Sequence, residues 1–148
     1  MWRIIVALAA CQPNPDWTKR DSKPTSFELA SAVKLTMSVP EGLKRSNAVG
    51  DASARFESES GDGPIVSVSI DDGLRQEMFT ATPPGSTGFE KRERSDGDGF
   101  LYQKDGPHVH LRKKVGKNTI TCDGFFMGQT KDDLKRAETL WKICSSIN

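Results

Sequence analysis

A chain of 148 residues has room for one domain and can bury a core without help from metals or dense disulfides. Its charged fraction of 28% and formal net charge of +1 exclude the concentrated positive charge with which nucleic-acid binders displace counterions from phosphates. The hydrophobic fraction of 35% is low but lies outside the regime of disordered chains. Basic residues cluster at 91–94 and 112–117, and carboxylates elsewhere in the chain offset them, so they read as solvated faces.

At the N-terminus, Met1-Trp2-Arg3 supplies one positive charge, and residues 4–10 form an unbroken apolar run that is far too short to span a bilayer. Leu8-Ala9-Ala10-Cys11 resembles the lipobox of bacterial lipoprotein signal peptides. The resemblance implies cleavage before Cys11, a diacylglycerol on its thiol and acylation of the new amino group. Each buried methylene then contributes about 0.8 kcal/mol to membrane attachment, so two or three acyl chains hold the protein on the bilayer. Residues 1–10 would be the signal peptide and the mature protein a lipid-anchored periplasmic one. Gln12 stands where Asp would mark inner-membrane retention in the enterobacterial pattern, which implies the outer membrane. The competing reading makes residues 4–8 a first strand and Cys11 an ordinary thiol. With Cys11 lipidated, Cys122 and Cys144 remain as an even pair in an oxidising space, which predicts a disulfide. Two buried reduced cysteines in a cytosolic domain are the alternative.

Residues 11–25 are polar and carry Pro13, Pro15 and Pro24, which suits an extended tether. The folded domain is then expected over 26–148. Phe27 and Leu29 suggest a short strand paired with the next one. There Val33, Leu35, Met37 and Val39 alternate with polar residues until Pro40-Glu41-Gly42, the pattern of a strand with one buried face. Ala52, Ala54 and Phe56 alternate in the same way. Gly61-Asp62-Gly63-Pro64 favours a reversal, and Val66, Val68 and Ile70 follow, so a hairpin is predicted. After Asp71-Asp72-Gly73, residues 74–80 fit a short helix with Leu74 and Met78 on one face. Residues 82–88 hold two prolines and two glycines and read as loop.

Further strands are expected at 89–94, 100–104, 108–115 and 118–126, the last two joined by Gly116-Lys117 as a two-residue turn. That register sets Leu111 opposite Cys122, Lys113 opposite Ile120 and His110 opposite Asp123, and a slip of one residue would exchange the faces. At the C-terminus Thr130 can cap a helix, with Asp132 and Asp133 in its first turn. Leu134, Ala137, Leu140, Trp141, Cys144 and Ile147 recur at three- and four-residue intervals as one apolar stripe. Cys144 on that stripe and Cys122 on the inner strand face fall in one layer, so the predicted bond staples helix to sheet.

Motifs that carry chemistry are scarce. His108 and His110 point to one side of a strand and amount to half a zinc site, and zinc needs three or four protein ligands. The carboxylates at Asp62, Asp71, Asp72, Asp96 and Asp98 sit beside glycines without EF-hand spacing, as turn residues do. Neither a Gly-x-Ser-x-Gly elbow nor a phosphate-binding glycine loop occurs. No catalytic residue, cofactor or metal is therefore assigned. The loops at 74–88 and 96–99, with Phe79, Asp96 and Asp98, are the candidate partner contacts.

The segment Lys34-Leu35-Thr36-Met37-Ser38-Val39-Pro40-Glu41-Gly42-Leu43 resembles the opening strand of PsbP-like domains. This implies an α+β fold with an antiparallel sheet packed against a C-terminal amphipathic helix. The lipobox, tether, Asp/Gly-rich middle and final helix are similar in arrangement to periplasmic lipoproteins that act as immunity proteins of type VI secretion. That likeness implies a membrane-tethered binding protein that neutralises a secreted cell-wall hydrolase. A structural or assembly lipoprotein of the envelope is the competing class.

Overall fold

Period-two alternation produces strands over most of the chain, and one period-3.6 stripe produces the helix that covers them. The computed structural model describes residues 16–46, 50–71, 89–102, 106–127 and 130–148. A 3-10 turn at Trp17–Lys19 leads into β1 (Ser22–Leu29), β2 (Val33–Pro40), β3 (Leu43–Ser46), β4 (Ser53–Ser58) and β5 (Pro64–Ile70). Then come β6 (Phe89–Arg94), β7 (Gly97–Tyr102), β8 (His108–Val115), β9 (Asn118–Phe126) and helix α1 (Asp133–Ser145). β1 and β2 pair as a two-stranded sheet, and the other strands form a seven-stranded sheet in the order β3-β4-β5-β9-β8-β7-β6. Every pairing is antiparallel. The β1–β2 hairpin and α1 lie on one face of the larger sheet, where Phe27 meets Phe56 edge-on at 5.2 Å and Leu35, Met37, Leu111, Cys122 and Leu140 join one core. This is the expected α+β sandwich.

The β8–β9 register matches the sequence expectation residue for residue: Leu111 opposes Cys122, Lys113 opposes Ile120 and His110 opposes Asp123. Gly116 adopts φ +61°, which the two-residue turn requires. The tether, however, ends earlier than expected. Trp17 is only 6% exposed, and β1 pairs with β2 from Ser22 onward. The reason is a fitted ring. Trp17 packs so closely over Gly63 that a Cβ there would lie 2.6 Å from it, and Arg20 stacks on its other side at 4.2 Å. Pro24 fits β1 because that strand has one open edge. β3 went unpredicted, and β7 begins at Gly97, three residues before the expected Phe100. The predicted helix at 74–80 lies outside the described residues.

Helix α1 starts beyond Thr130, yet the N–H and the hydroxyl of that residue both donate to the Asp133 carboxylate. The Thr130 N–H donates to Asp133 Oδ1 at 2.9 Å, and the Asp132 N–H donates to the Thr130 hydroxyl at 3.2 Å. Ala137, Leu140, Ile143, Cys144 and Ile147 are buried, whereas Leu134 is 53% exposed. The stripe is thus rotated from its expected centre: Ile143 joins it and Leu134 leaves it. Small residues shape the bed. A Cβ on Gly99 would lie 2.8 Å from the Trp141 ring, and one on Gly124 would lie 3.0 Å from Leu140.

Three attachments hold the helix in this bed. Cys122 and Cys144 are bonded, with Cα atoms 5.6 Å apart. Lys113 donates to the carbonyls of Ser145 (3.0 Å) and Ile147, putting a cation at the negative end of the dipole. Arg92 donates to both carboxylate oxygens of Glu138, and its guanidinium lies 5.1 Å from the centre of the Trp141 ring. Beyond the helix, Thr36 and Asn148 exchange backbone hydrogen bonds of 2.9 Å, and the Ser38 N–H donates to Ser146 Oγ at 2.9 Å. The last residues thereby extend the small sheet past β2.

Two outcomes follow from these attachments. Closing a 22-residue separation is worth about 3 kcal/mol in the loop-entropy model. Replacing both Cys122 and Cys144 with Ala therefore lowers the melting temperature by several degrees while far-UV circular dichroism keeps its native shape. The second outcome concerns acid. The Arg92 guanidinium bonded to Glu138 holds its carboxyl below the ordinary value of 4.5. A depressed carboxyl stabilises the fold above its unfolded pKa, and that contribution is lost as pH falls through the folded value. Because the Glu138 side chain is 38% exposed, the contribution is small. Glu138→Gln loses stability at neutral pH and converges with the parent under acid, as denaturant melts across pH will show.

Candidate functional site

The face of the large sheet turned away from α1 is polar toward the β8–β9 turn, whereas Phe100, buried, and Phe125 lie on it farther from that turn. Asp98, Arg112, Thr121 and Ser69 lie side by side across β7, β8, β9 and β5. One row nearer the sheet end, Lys114 opposes Thr119. The Asp71 N–H donates to the Thr119 carbonyl at 2.8 Å, and the Lys114 N–H donates to the Asp96 carbonyl at 2.7 Å. Asp71, Asp98, Arg112, Lys114, Thr119 and the β6–β7 turn line a cleft of about 320 Å³.

The cleft carries both signs of charge. Arg112 Nε stands 3.4 Å from Asp98, Lys113 Nζ stands 3.6 Å from Asp96, and Arg94 Nε donates to Asp96 at 2.8 Å. The Arg94 hydrogen bond is the main reason the Asp96 carboxyl is held below its ordinary range, and the charges of Arg94 and Lys113 act in the same direction. Lys114 is exposed at the rim. The lining holds carboxylates, cations and hydroxyls, with neither imidazole nor thiol among its described residues. Such a set can orient a polar partner through hydrogen bonds and charge.

The two candidate carboxylates from the sequence, Asp96 and Asp98, are thus brought together in one cleft. Phe79 and Cys11 lie outside the described residues. Cys122 and Cys144 bond on the opposite, helix-facing side. His110 Nδ1 bonds to Asp123, and His108 Nδ1 lies 3.1 Å from the Gly106 carbonyl, with the rings edge to face at 5.7 Å. Among the described residues no group of three or more His, Cys, Asp or Glu side chains is placed to hold a metal. Asp62 accepts from Ser58 at 3.0 Å and also from Ser60, which is the turn chemistry expected of it.

Sequence reasoning missed Arg112, Lys114, Thr119 and Asp71. The first three were recoverable, since the correct hairpin register already places them on the face of His110. Asp98 opposite Arg112 was not, because it needs β7 to begin at Gly97. A Cβ on Gly97 would fall 1.9 Å from the Arg112 carbonyl, so this glycine permits the close approach that aligns the pair.

No family model matches the chain, and no curated protein matches it. Among solved structures it is similar to cyanobacterial PsbP (CyanoP) from Synechocystis, with a TM-score of 0.50, 10% identity, and coverage of 95% of this chain and 98% of that one. The likeness supports the α+β, PsbP-like sandwich. A protein from Bacteroides thetaiotaomicron matches 77% of this chain at 12% identity with a TM-score of 0.44. This chain spans 44% of that protein's length.

Beside the cleft, the Thr121 hydroxyl is buried with no hydrogen-bond partner among the described residues. A buried unsatisfied polar group costs about 1–3 kcal/mol. Thr121→Val keeps the shape and removes that cost, so the variant melts higher than the parent, and scanning calorimetry measures the gain.

Proposed function

We propose that the chain is a non-catalytic binding protein, lipid-anchored through Cys11 to an envelope membrane and most favourably placed as an immunity protein against a secreted cell-wall hydrolase. The observation that carries the reading is the cleft lined by Asp96, Asp98, Arg112, Lys113 and Lys114 at the β8–β9 end of the large sheet. Paired charges of both signs disfavour mismatched partners and fix the orientation of a matched one. The Cys122–Cys144 bond is compatible with an oxidising compartment.

Two measurements test the proposal. In cells, Cys11→Ser moves the protein out of the membrane fraction or leaves it uncleaved, and intact mass identifies which. A wild-type chain that keeps Met1 and carries no lipid defeats the anchoring. In solution, the purified chain inhibits the hydrolase secreted against its host at one-to-one stoichiometry. The Asp98→Lys, Lys114→Glu double variant weakens inhibition at least tenfold while its melting temperature stays close to that of the parent. Loss of fitness on gene deletion in a strain that meets no toxin favours the assembly lipoprotein instead.

A further inference from the structure

We infer that the pole of the domain bearing Trp17, Met127 and Leu134 is a membrane-contact surface, which seats on the bilayer and turns the mixed-charge cleft away from it. The inference rests on the proposed lipid at Cys11, and it combines two independent observations.

The first is the length of the leash. Trp17 is buried against Gly42 and Gly63 and stands six positions after Cys11. Six residues span no more than about 22 Å when fully extended. A lipid at Cys11 therefore keeps the Trp17 pole within that distance of the headgroups. The same pole contains the β4–β5 turn at Gly63, the start of β5, the end of β9 opposite it and the first turn of α1. Pro64 pairs with Phe126, and Arg136 stacks on the Phe126 ring at 4.4 Å.

The second observation is where exposed apolar side chains fall. Among the described residues the exposed large hydrophobics are Phe125, Met127 and Leu134, and Met127 is 66% and Leu134 53% exposed. Phe125 lies next to the end of β9, Met127 follows that strand and Leu134 lies in the first turn of α1, all at the pole that carries Trp17. Lys131 and Lys135 are exposed beside Leu134, as is Asp132, so charge there is nearly balanced. The contact is made by apolar side chains at the headgroup boundary, with lysines able to reach phosphates. The cleft lies at the other end of the strands. Asp96 and Lys114 sit next to the β8–β9 turn, and the nine residues of β9 place that turn about 30 Å from the contact surface.

Hydrogen exchange on the mature lipidated protein tests this, with vesicles of phosphatidylethanolamine and phosphatidylglycerol as the probe and the unlipidated Cys11→Ser chain without vesicles as the reference. Peptides covering 124–127 and 130–136 are expected to exchange severalfold more slowly on vesicles, while those covering 94–98 and 113–118 keep their solution rates. The Met127→Asp, Leu134→Asp double variant, altered only at exposed positions, should still float with vesicles but lose the protection. Equal exchange at both poles, or protection at the cleft pole, in a protein that floats with vesicles overturns the inference and leaves the anchoring intact. A mature protein that carries no lipid and does not float defeats the anchoring reading, and the inference falls with it.

Discussion

The attachment of α1 to its sheet is the constraint on which the other features depend. A seven-stranded antiparallel sheet with one apolar face must cover that face. Here a single helix and a two-stranded hairpin share the work. The helix fits because Gly99 and Gly124 lower the sheet surface under Trp141 and Leu140, and because Cys144 reaches Cys122 from near the C-terminal end of the same apolar stripe. Packing sets the distance, and the disulfide narrows the unfolded ensemble.

From that attachment the order of the remaining parts follows. The end of α1 carries Ser146 and Asn148 to β2, and Lys113 draws the last carbonyls back toward the sheet. The small hairpin is therefore joined to the large sheet partly through the helix terminus. Lys113 also faces Asp96, so the residue that closes the helix end helps position the β6–β7 turn of the cleft. Arg92 performs the matching task nearer the middle of the helix, where Glu138 and the Trp141 ring occupy its guanidinium. With the apolar face covered on one side, the polar side chains of β5, β7, β8 and β9 are left to form the other.

Legibility in the sequence was uneven, and the unevenness has physical causes. Strands with one buried face announce themselves through period-two alternation, so β2, β4, β5, β8 and β9 were readable, and Gly116 pinned the last register. The staple was readable because two independent periodicities placed Cys122 and Cys144 in one layer. β3, only four residues long with Lys44 and Arg45 at its centre, is too short for alternation to register. Trp17 stood in a polar, proline-containing stretch, and its burial depends on Gly42 and Gly63, which are distant in sequence. Leu134 was misassigned because i, i+3 spacing defines a stripe but not how far the stripe extends past the edge of the sheet beneath it. In the cleft, Asp96 and Asp98 were found as turn carboxylates, whereas their cationic partners came from a strand that reads as an ordinary solvated face.

Two poles and two faces together give the domain an orientation that neither gives alone. The faces separate apolar burial from polar display, and this holds for most half-covered antiparallel sheets. The poles are distinguished by the chain itself: Trp17 fixes its N-terminal side at one end of the strands, and the β6–β7 and β8–β9 turns gather opposite charges at the other. Exposed Met127 and Leu134 lie at the Trp17 end, where burying apolar surface would help attachment, and Lys114 with its neighbouring carboxylates lies where a polar partner arriving from solution would meet them. A surface built on paired strands rather than on free loops loses little conformational entropy on association, and β7, β8 and β9 are each paired on both sides. Lys113 links the two ends of this arrangement, since its ammonium bonds the Ser145 carbonyl at the end of α1 and stands 3.6 Å from Asp96 of the cleft.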